Sequence, residues 1–269
     1  MSVPVHHWVD AAPDLPAGAP TVVLSSSLGA THAMWDRQVP DLSRHARVVR
    51  YDTRGHGRSP STPGSCSIDD LTDDLVGLLD RLGVERAHIV GLSLGGMTAM
   101  RLAAREPDRV DRLVVLCTSA FLPPADAWRE RAATVRSEGT GAVAHAVVGR
   151  WYTAGFRASE PERTAAAEAT IAATSADGYA GCCDAIAAMD LRPDLPSIVA
   201  PTLAIAGADD PATPPDHLER IARAVQDGRL LVVPEAAHLA NDEQPELVTA
   251  GLIAHLFADA PARQTEEMA

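Results

Sequence analysis

Short apolar runs rich in Val, Ile and Leu alternate along this chain with longer segments whose apolar residues recur at helical spacing. Parallel strands have uninterrupted apolar sequences of this kind because helices cover both faces of their sheet. The alternation therefore predicts an α/β fold, a mostly parallel twisted sheet flanked by helices. Seven strands are expected, at residues 3–9, 21–24, 48–51, 87–90, 113–116, 202–206 and 230–233.

One long segment interrupts this alternation. Between Phe121 and Asp194 no β-rich run occurs, and the sequence becomes Ala-rich with breaks at glycine and proline. We interpret residues 121–194 as a helical cap inserted into a core made of residues 1–120 and 195–258. Residues 259–269 are small and polar, and we expect them to form a frayed tail.

The charge balance and the cysteine count exclude several classes of protein. The chain has 23 basic and 36 acidic residues, a net charge of -13, which argues against nucleic acid and anionic membranes as partners. Its four cysteines lack C-x-x-C spacing, and we found neither a metal-ligand cluster nor a G-x-G-x-x-G loop, so no metal or cofactor is expected. Without a secretory signal or an 18-residue apolar run, the expectation is a cytoplasmic protein. The oligomeric state stays open.

A candidate nucleophile lies in the sequence Gly-Leu-Ser-Leu-Gly at residues 91–95. This G-x-S-x-G pattern follows a predicted strand and precedes a helix-like stretch. Small residues at Gly91 and Gly95 permit the sharp turn that lifts a serine hydroxyl above the sheet, next to a helix N-terminus. We therefore predict that Ser93 is a nucleophile; a structural turn is the alternative.

A serine needs a base to take its proton and a carboxylate to orient that base. His238 follows the last predicted strand, so its ring can reach the sheet edge where Ser93 lies. Asp210 follows the strand at 202–206 and is the predicted acid, with Asp209 as the competing choice. The remaining histidines that we weighed lie on an edge strand, in a glycine turn or on predicted helices, namely His6, His7, His56, His145, His217 and His255.

Attack on a carbonyl produces an oxyanion, which requires two aimed N–H donors. Leu94 follows the nucleophile and is predicted to supply one of them. Leu28, in the serine-rich loop after the second strand, is the candidate for the other. The Gly- and Arg-rich stretch at residues 52–59 lacks Walker spacing and is interpreted as a structural turn that could still expose an arginine towards the pocket.

With these residues in place, the chain resembles the α/β-hydrolases, and within them 3-oxoadipate enol-lactonases. The order Ser93, Asp210, His238 is the order of that superfamily. The closer resemblance is carried by several stretches, which are residues 25–29 with 34–36, 48–59, 150–156, 206–215 and 237–241. It implies an α/β-hydrolase fold with a helical cap, and hydrolysis of 3-oxoadipate enol-lactone through an acyl-enzyme in aromatic-compound catabolism.

The lactone implied by this resemblance carries an acetate group, so a local cation must hold an anion against the negative charge of the protein. Arginine suits a carboxylate, and the candidates are Arg54, Arg129, Arg136 and Arg150. Trp151 is expected to form an apolar wall of the pocket, and Trp35 is a further candidate for substrate contact.

Other functions use the same three residues. Another carboxylesterase, a carbon–carbon bond hydrolase or a perhydrolase would differ only in the cap. A small-molecule sensor on the same fold, with a silent triad, is the alternative from another class. A dehalogenase or an epoxide hydrolase is disfavoured because each needs Asp where Ser93 stands.

Overall fold

A computed structural model describes residues 2–257. It contains the strands β1 (His7–Asp10), β2 (Thr21–Ser25), β3 (Arg47–Tyr51), β4 (Ala87–Leu92), β5 (Val110–Leu116), β6 (Thr202–Gly207) and β7 (Gly228–Val233). These seven strands form one sheet in the order β1-β3-β2-β4-β5-β6-β7. β1 pairs antiparallel with β3, and every other pairing is parallel.

Helices flank this sheet, as the alternation predicts. The helices of the core are α1 (Val39–Leu42), α2 (Ile68–Arg81), α3 (Leu94–Arg105), α9 (Pro215–Ala224), α10 (Ala240–Glu243) and α11 (Pro245–Leu256). α3 packs on β4 and β5, α9 packs on β6 and β7, and α11 contacts β5 and β7. No helix in residues 2–257 is long and apolar enough to cross a membrane.

The segment between β5 and β6 is helical. It contains α4 (Ala125–Glu138), α5 (Gly141–Trp151), α6 (Ala154–Ser159), α7 (Pro161–Ala172) and α8 (Ala176–Ala188). α4 packs against α8, and α5 packs against α7. We call residues 125–188 the helical segment; its status as a separate cap with boundaries at 121 and 194 stays a prediction. The predicted frayed tail lies outside the described residues.

The prediction for the first strand is wrong at its N-terminal end. The strand begins at His7 instead of residue 3, although Val3 and Val5 are buried. The Val5 N–H donates to the Val3 carbonyl, and the Val3 N–H donates to Asp74 on α2, so this stretch packs against a helix without joining the sheet. The other six strands are confirmed, and each extends the predicted bounds by at most three residues at an end.

Candidate active site

Ser93 occupies a strained turn between β4 and α3. Its backbone has φ 56° and ψ -115°, a left-handed conformation that few residues with a side chain adopt. The turn also requires glycine two residues before and two residues after the serine, at Gly91 and Gly95. A Cβ added at Gly91 would lie 2.2 Å from the Gly95 carbonyl oxygen, and one at Gly95 would lie 2.3 Å from the Ser25 carbonyl oxygen. The predicted sharp turn is therefore present, and it places Ser93 at the carboxyl edge of the sheet.

His238 and Asp210 form a buried pair at the same edge. The Nδ1 atom of His238 lies 2.8 Å from Oδ2 of Asp210. Asp210 also accepts hydrogen bonds from the Ala212 N–H (2.8 Å), the Thr213 N–H (3.1 Å) and the Thr213 hydroxyl (2.7 Å). An ionised carboxylate therefore assigns the His238 proton to Nδ1 and leaves the Nε2 lone pair available to act as a base.

The surroundings keep Asp210 ionised. Burial alone would raise its pKa, but the positive charge that His238 carries when protonated and the hydrogen bonds from His238 and Thr213 outweigh burial, and the pKa is lowered. Asp209, the competing candidate, is exposed. Geometry therefore favours Asp210 as the partner of His238.

Ser93 and His238 line the same cavity, which has a volume of about 370 Å³. Within residues 2–257 no hydrogen bond joins the two side chains. Bonds between a nucleophile and its base are often long in a free enzyme and shorten only when substrate is bound. The structure thus brings the three predicted residues to one site, with the His–Asp bond formed.

The two predicted oxyanion donors lie in adjacent turns. The Gly95 N–H donates to the Ser26 carbonyl (3.1 Å), which joins the Leu28 loop to the start of α3. The Gly29 N–H donates to Nε2 of His56 (2.9 Å). Among the described residues, the N–H groups of Leu28 and Leu94 donate to no protein group, so both are available to a ligand oxygen. Their role as oxyanion donors stays a prediction.

His56 gives the stretch at residues 52–59 a supporting role. Its Nε2 accepts from Gly29, so its Nδ1 carries the proton and donates to the Arg54 carbonyl (3.0 Å). Burial lowers the pKa of this imidazole, which keeps it neutral and able to accept. The stretch is therefore a structural turn that holds the Leu28 loop in place.

The cavity has two walls. The core wall consists of loop residues that follow strands, and its polar members are Ser27, Ser93, Thr213 and His238. The helical wall comes mainly from α4, α5 and α8 and includes Trp128, Arg131, Val147, Arg150, Trp151 and Tyr179. Two of the predicted substrate contacts, Arg150 and Trp151, therefore lie on the cavity surface.

Arg131 is a cavity residue that the sequence analysis missed. Its guanidinium lies 4.4 Å from the centroid of the Trp128 ring, one helical turn earlier on α4. The spacing i, i+3 of an aromatic and a basic residue in a predicted helix was the available signal. Arg131 and Arg150 line the same cavity, and burial and the charge of Arg131 lower the pKa of Arg150. Neither forms an ion pair within residues 2–257.

Four other predicted contacts do not lie on the cavity. Arg54 is buried and bonded to Asp74, with Nε 2.6 Å from Oδ2. Arg129 and Arg136 form exposed pairs with Asp126 and Asp184. Trp35 is fully buried in the hydrophobic core. Arg54 is held by the buried carboxylate of Asp74 on α2, and Trp35 packs among apolar side chains of the core, so neither is available to the cavity.

The sheet order, the strained serine turn and the loop positions define a class. The chain belongs to the α/β hydrolase family, whose model matches residues 20–245. It is a hydrolase that acts on ester bonds, and the resemblance to 3-oxoadipate enol-lactonases is confirmed.

Three proteins illustrate what this chain is similar to within the family. 3-Oxoadipate enol-lactonase 2 of Acinetobacter baylyi is 39% identical over 230 residues, which are 86% of each chain. The crystal structure of the enol-lactonase from Burkholderia xenovorans LB400 is 40% identical, with a TM-score of 0.90 over 94% of this chain and 96% of that one. RutD of Caulobacter sp. strain K31, named for carbamate hydrolysis, is 33% identical and matches 89% of this chain and 91% of its own.

Proposed function

We propose that the protein hydrolyses 3-oxoadipate enol-lactone to 3-oxoadipate in aromatic-compound catabolism. Ser93 is the nucleophile, His238 the general base and Asp210 its orienting acid, and the Leu28 and Leu94 N–H groups bind the oxyanion. The similarity to enol-lactonases supports the lactone as substrate. The cavity adds an independent argument from charge.

The reaction has two stages. Ser93 Oγ attacks the lactone carbonyl while its proton passes to Nε2 of His238, and the oxyanion forms between the two N–H groups. Collapse of this intermediate breaks the ring C–O bond, and the enol oxygen leaves with the proton from His238. The enol then becomes a ketone. Water next gives a proton to His238, attacks the acyl-enzyme and releases 3-oxoadipate with Ser93 restored.

The arginine pair carries the proposal. Arg131 and Arg150 lie on the cavity wall formed by α4 and α5, and no carboxylate of the described protein pairs with either. Two neighbouring cations without a counterion are stabilised by a bound anion. Tyr179 lines the same wall and is fully buried, with its hydroxyl next to the Arg131 guanidinium. These three side chains match the carboxylate of the lactone side chain.

The test compares an anionic and a neutral substrate. We expect freshly generated 3-oxoadipate enol-lactone to lose its ultraviolet absorbance rapidly with the wild-type protein and no faster than in buffer with Ser93→Ala. A neutral aryl acetate of similar size should be a poorer substrate, measured by kcat/KM. Equal kcat/KM values for the two substrates would contradict an anionic substrate, and an active Ser93→Ala would contradict the triad.

A further inference from the structure

The His238 loop is held by backbone hydrogen bonds on both sides of the histidine. The N–H of Ala237, one residue before it, donates to Oε2 of Glu243 (2.6 Å). The N–H of Leu239, one residue after it, donates to the Trp151 carbonyl at the end of α5 (2.9 Å). The position of His238 therefore depends on one carboxylate of α10 and on the helical segment.

Glu243 also binds the helical segment directly. Its Oε1 accepts from the Thr153 N–H (2.9 Å) and from the Thr153 hydroxyl (2.7 Å). Thr153 is the N-cap of α6, where its hydroxyl oxygen accepts from the Phe156 N–H. A single carboxylate thus accepts three donors from two parts of the chain that are 84 residues apart in sequence.

Both carboxylate oxygens of Glu243 accept hydrogen bonds, and the carboxylate is partly buried. Burial raises its pKa, with nearby Asp242 adding to the effect, while the hydrogen bonds from Ala237 and Thr153 oppose it. No arginine pairs with Glu243 within residues 2–257. The N–H and O–H donors are therefore the groups that stabilise its charge, and loss of the carboxylate leaves buried donors unsatisfied.

We propose that Glu243 is a positioning residue that fixes His238 for proton transfer by clamping the Ala237 peptide to Thr153 of the helical segment. This inference rests on the proposed function, because it takes His238 as the general base. Glu243 itself does not line the cavity that holds Ser93. Its contribution is to keep the base on the core wall in a fixed place relative to the helical wall.

The neighbouring Asp242 provides a matched control. It lies on the same short helix and also binds the helical segment, through the Tyr152 hydroxyl (2.9 Å) and through Arg163. Within residues 2–257 the Asp242 side chain forms no hydrogen bond with Ala237 or Leu239, and its partners are Tyr152 and Arg163. A change at Asp242 therefore weakens the contact between α10 and the helical segment but leaves the hydrogen bond from Ala237 to Glu243 in place. The comparison distinguishes positioning of His238 from attachment of the helical segment.

The experiment measures kcat and KM on a neutral aryl ester and the rate at which a phosphonofluoridate labels Ser93. We expect Glu243→Ala to lower kcat and the labelling rate about 50-fold with KM within threefold, since small displacements of a catalytic group cost about 100-fold. Glu243→Gln, whose amide oxygen can still accept from Ala237, should recover part of this and remain about 5- to 10-fold below wild type. Asp242→Asn should stay within about threefold on the same scale.

Two results would contradict a positioning role for Glu243. Equal losses in Glu243→Gln and Asp242→Asn, or kcat within threefold of wild type in folded Glu243→Ala, would overturn the positioning role. If Glu243→Ala does not fold, the comparison of Glu243→Gln with Asp242→Asn decides alone. Ser93→Ala is assayed beside them: full activity there would mean that the proposed triad fails, whatever Glu243 does.

Discussion

The two walls of the cavity are built in different ways. On the core wall, each functional residue follows a strand at short range: Ser93 comes directly after β4, Asp210 comes soon after β6, and His238 follows β7. Backbone geometry fixes them, through a left-handed serine and glycines that no other residue could replace. On the helical wall, Arg131 and Arg150 lie within helices, and side-chain packing decides whether they face the cavity.

This difference suggests that the core wall carries out catalysis and that the helical wall determines which substrate is bound. The carboxyl ends of parallel strands meet at one edge whatever the rest of the chain does, so reactive groups placed there keep their mutual geometry. A substitution in α4, α5 or α8 therefore need not change the loops that follow the strands. We therefore expect changes on the core wall to act on kcat and changes on the helical wall to act on KM.

The largest effect should come from the core wall acid. Asp210→Asn removes the charge that holds the Nδ1 proton of His238, and kcat should fall about 10³- to 10⁴-fold with little change in KM. Asp209→Asn is the matched control, because Asp209 is an exposed neighbour, and it should stay within about twofold. Steady-state kinetics on the lactone measures both. Similar losses in the two variants would mean that the assignment of the acid is wrong.

The next largest effect is expected on stability, at the close contact between Gly55 in the core and Gly178 of the helical segment. Gly55, in the turn at residues 52–59, has φ +72°, and a Cβ there would lie 2.3 Å from the Cα of Gly178 on α8. Gly55→Ala therefore combines backbone strain with a forced shift of α8, and should lower the free energy of unfolding by about 3 kcal/mol.

Gly64 offers the control for that substitution. It also has positive φ, +92°, but nothing lies within 4 Å of an added Cβ. Gly64→Ala should cost only the strain, about 1 kcal/mol. Urea unfolding of both variants gives the difference. If the two substitutions cost the same, the close contact between the core turn and α8 is not a constraint on stability.

The same difference explains why the sequence indicates the positions of the core-wall residues, whereas on the helical wall it indicates only Arg150 and Trp151. The sequence indicates that Ser93, Asp210 and His238 share one sheet edge, because strand ends can be recognised from apolar runs and each of the three follows a strand within a short loop. Arg131 was missed, and Arg54 was expected near the pocket, because the sequence does not show which partner a guanidinium will meet. Arg54 pairs with the buried carboxylate of Asp74, whereas Arg131 lies over the Trp128 ring on the cavity wall.

On the helical wall the expected effect is smaller and selective. Arg131→Met and Arg150→Met each remove one cation and keep an unbranched side chain. Each should raise KM for the anionic lactone about 10- to 30-fold, and change KM for a neutral aryl ester less than about threefold. The ratio of the two KM values is the measurement. A loss in kcat on both substrates with unchanged KM would contradict the division between the walls.

The smallest expected effect is a pH dependence of stability that arises from His56, which supports the core wall. Because burial lowers the pKa of His56 in the folded protein, the unfolded chain takes up a proton below about pH 6.5 that the folded one refuses. Stability is therefore lost as the pH falls from 6.5 towards the lower folded pKa, by at most about 1.4 kcal/mol per pH unit for one proton.

His56→Gln tests this, since a glutamine oxygen can accept from the Gly29 N–H but has no proton to gain. Burial also lowers the pKa of His7, His88 and His255, so the wild-type curve contains several protons and only the difference between the two proteins is informative. In urea unfolding from pH 7.5 to pH 5, the variant should lose less stability than the wild type, and the gap between them should narrow. Parallel curves would show that His56 titrates alike in both states, and a neutral imidazole would then not be what holds the Leu28 loop.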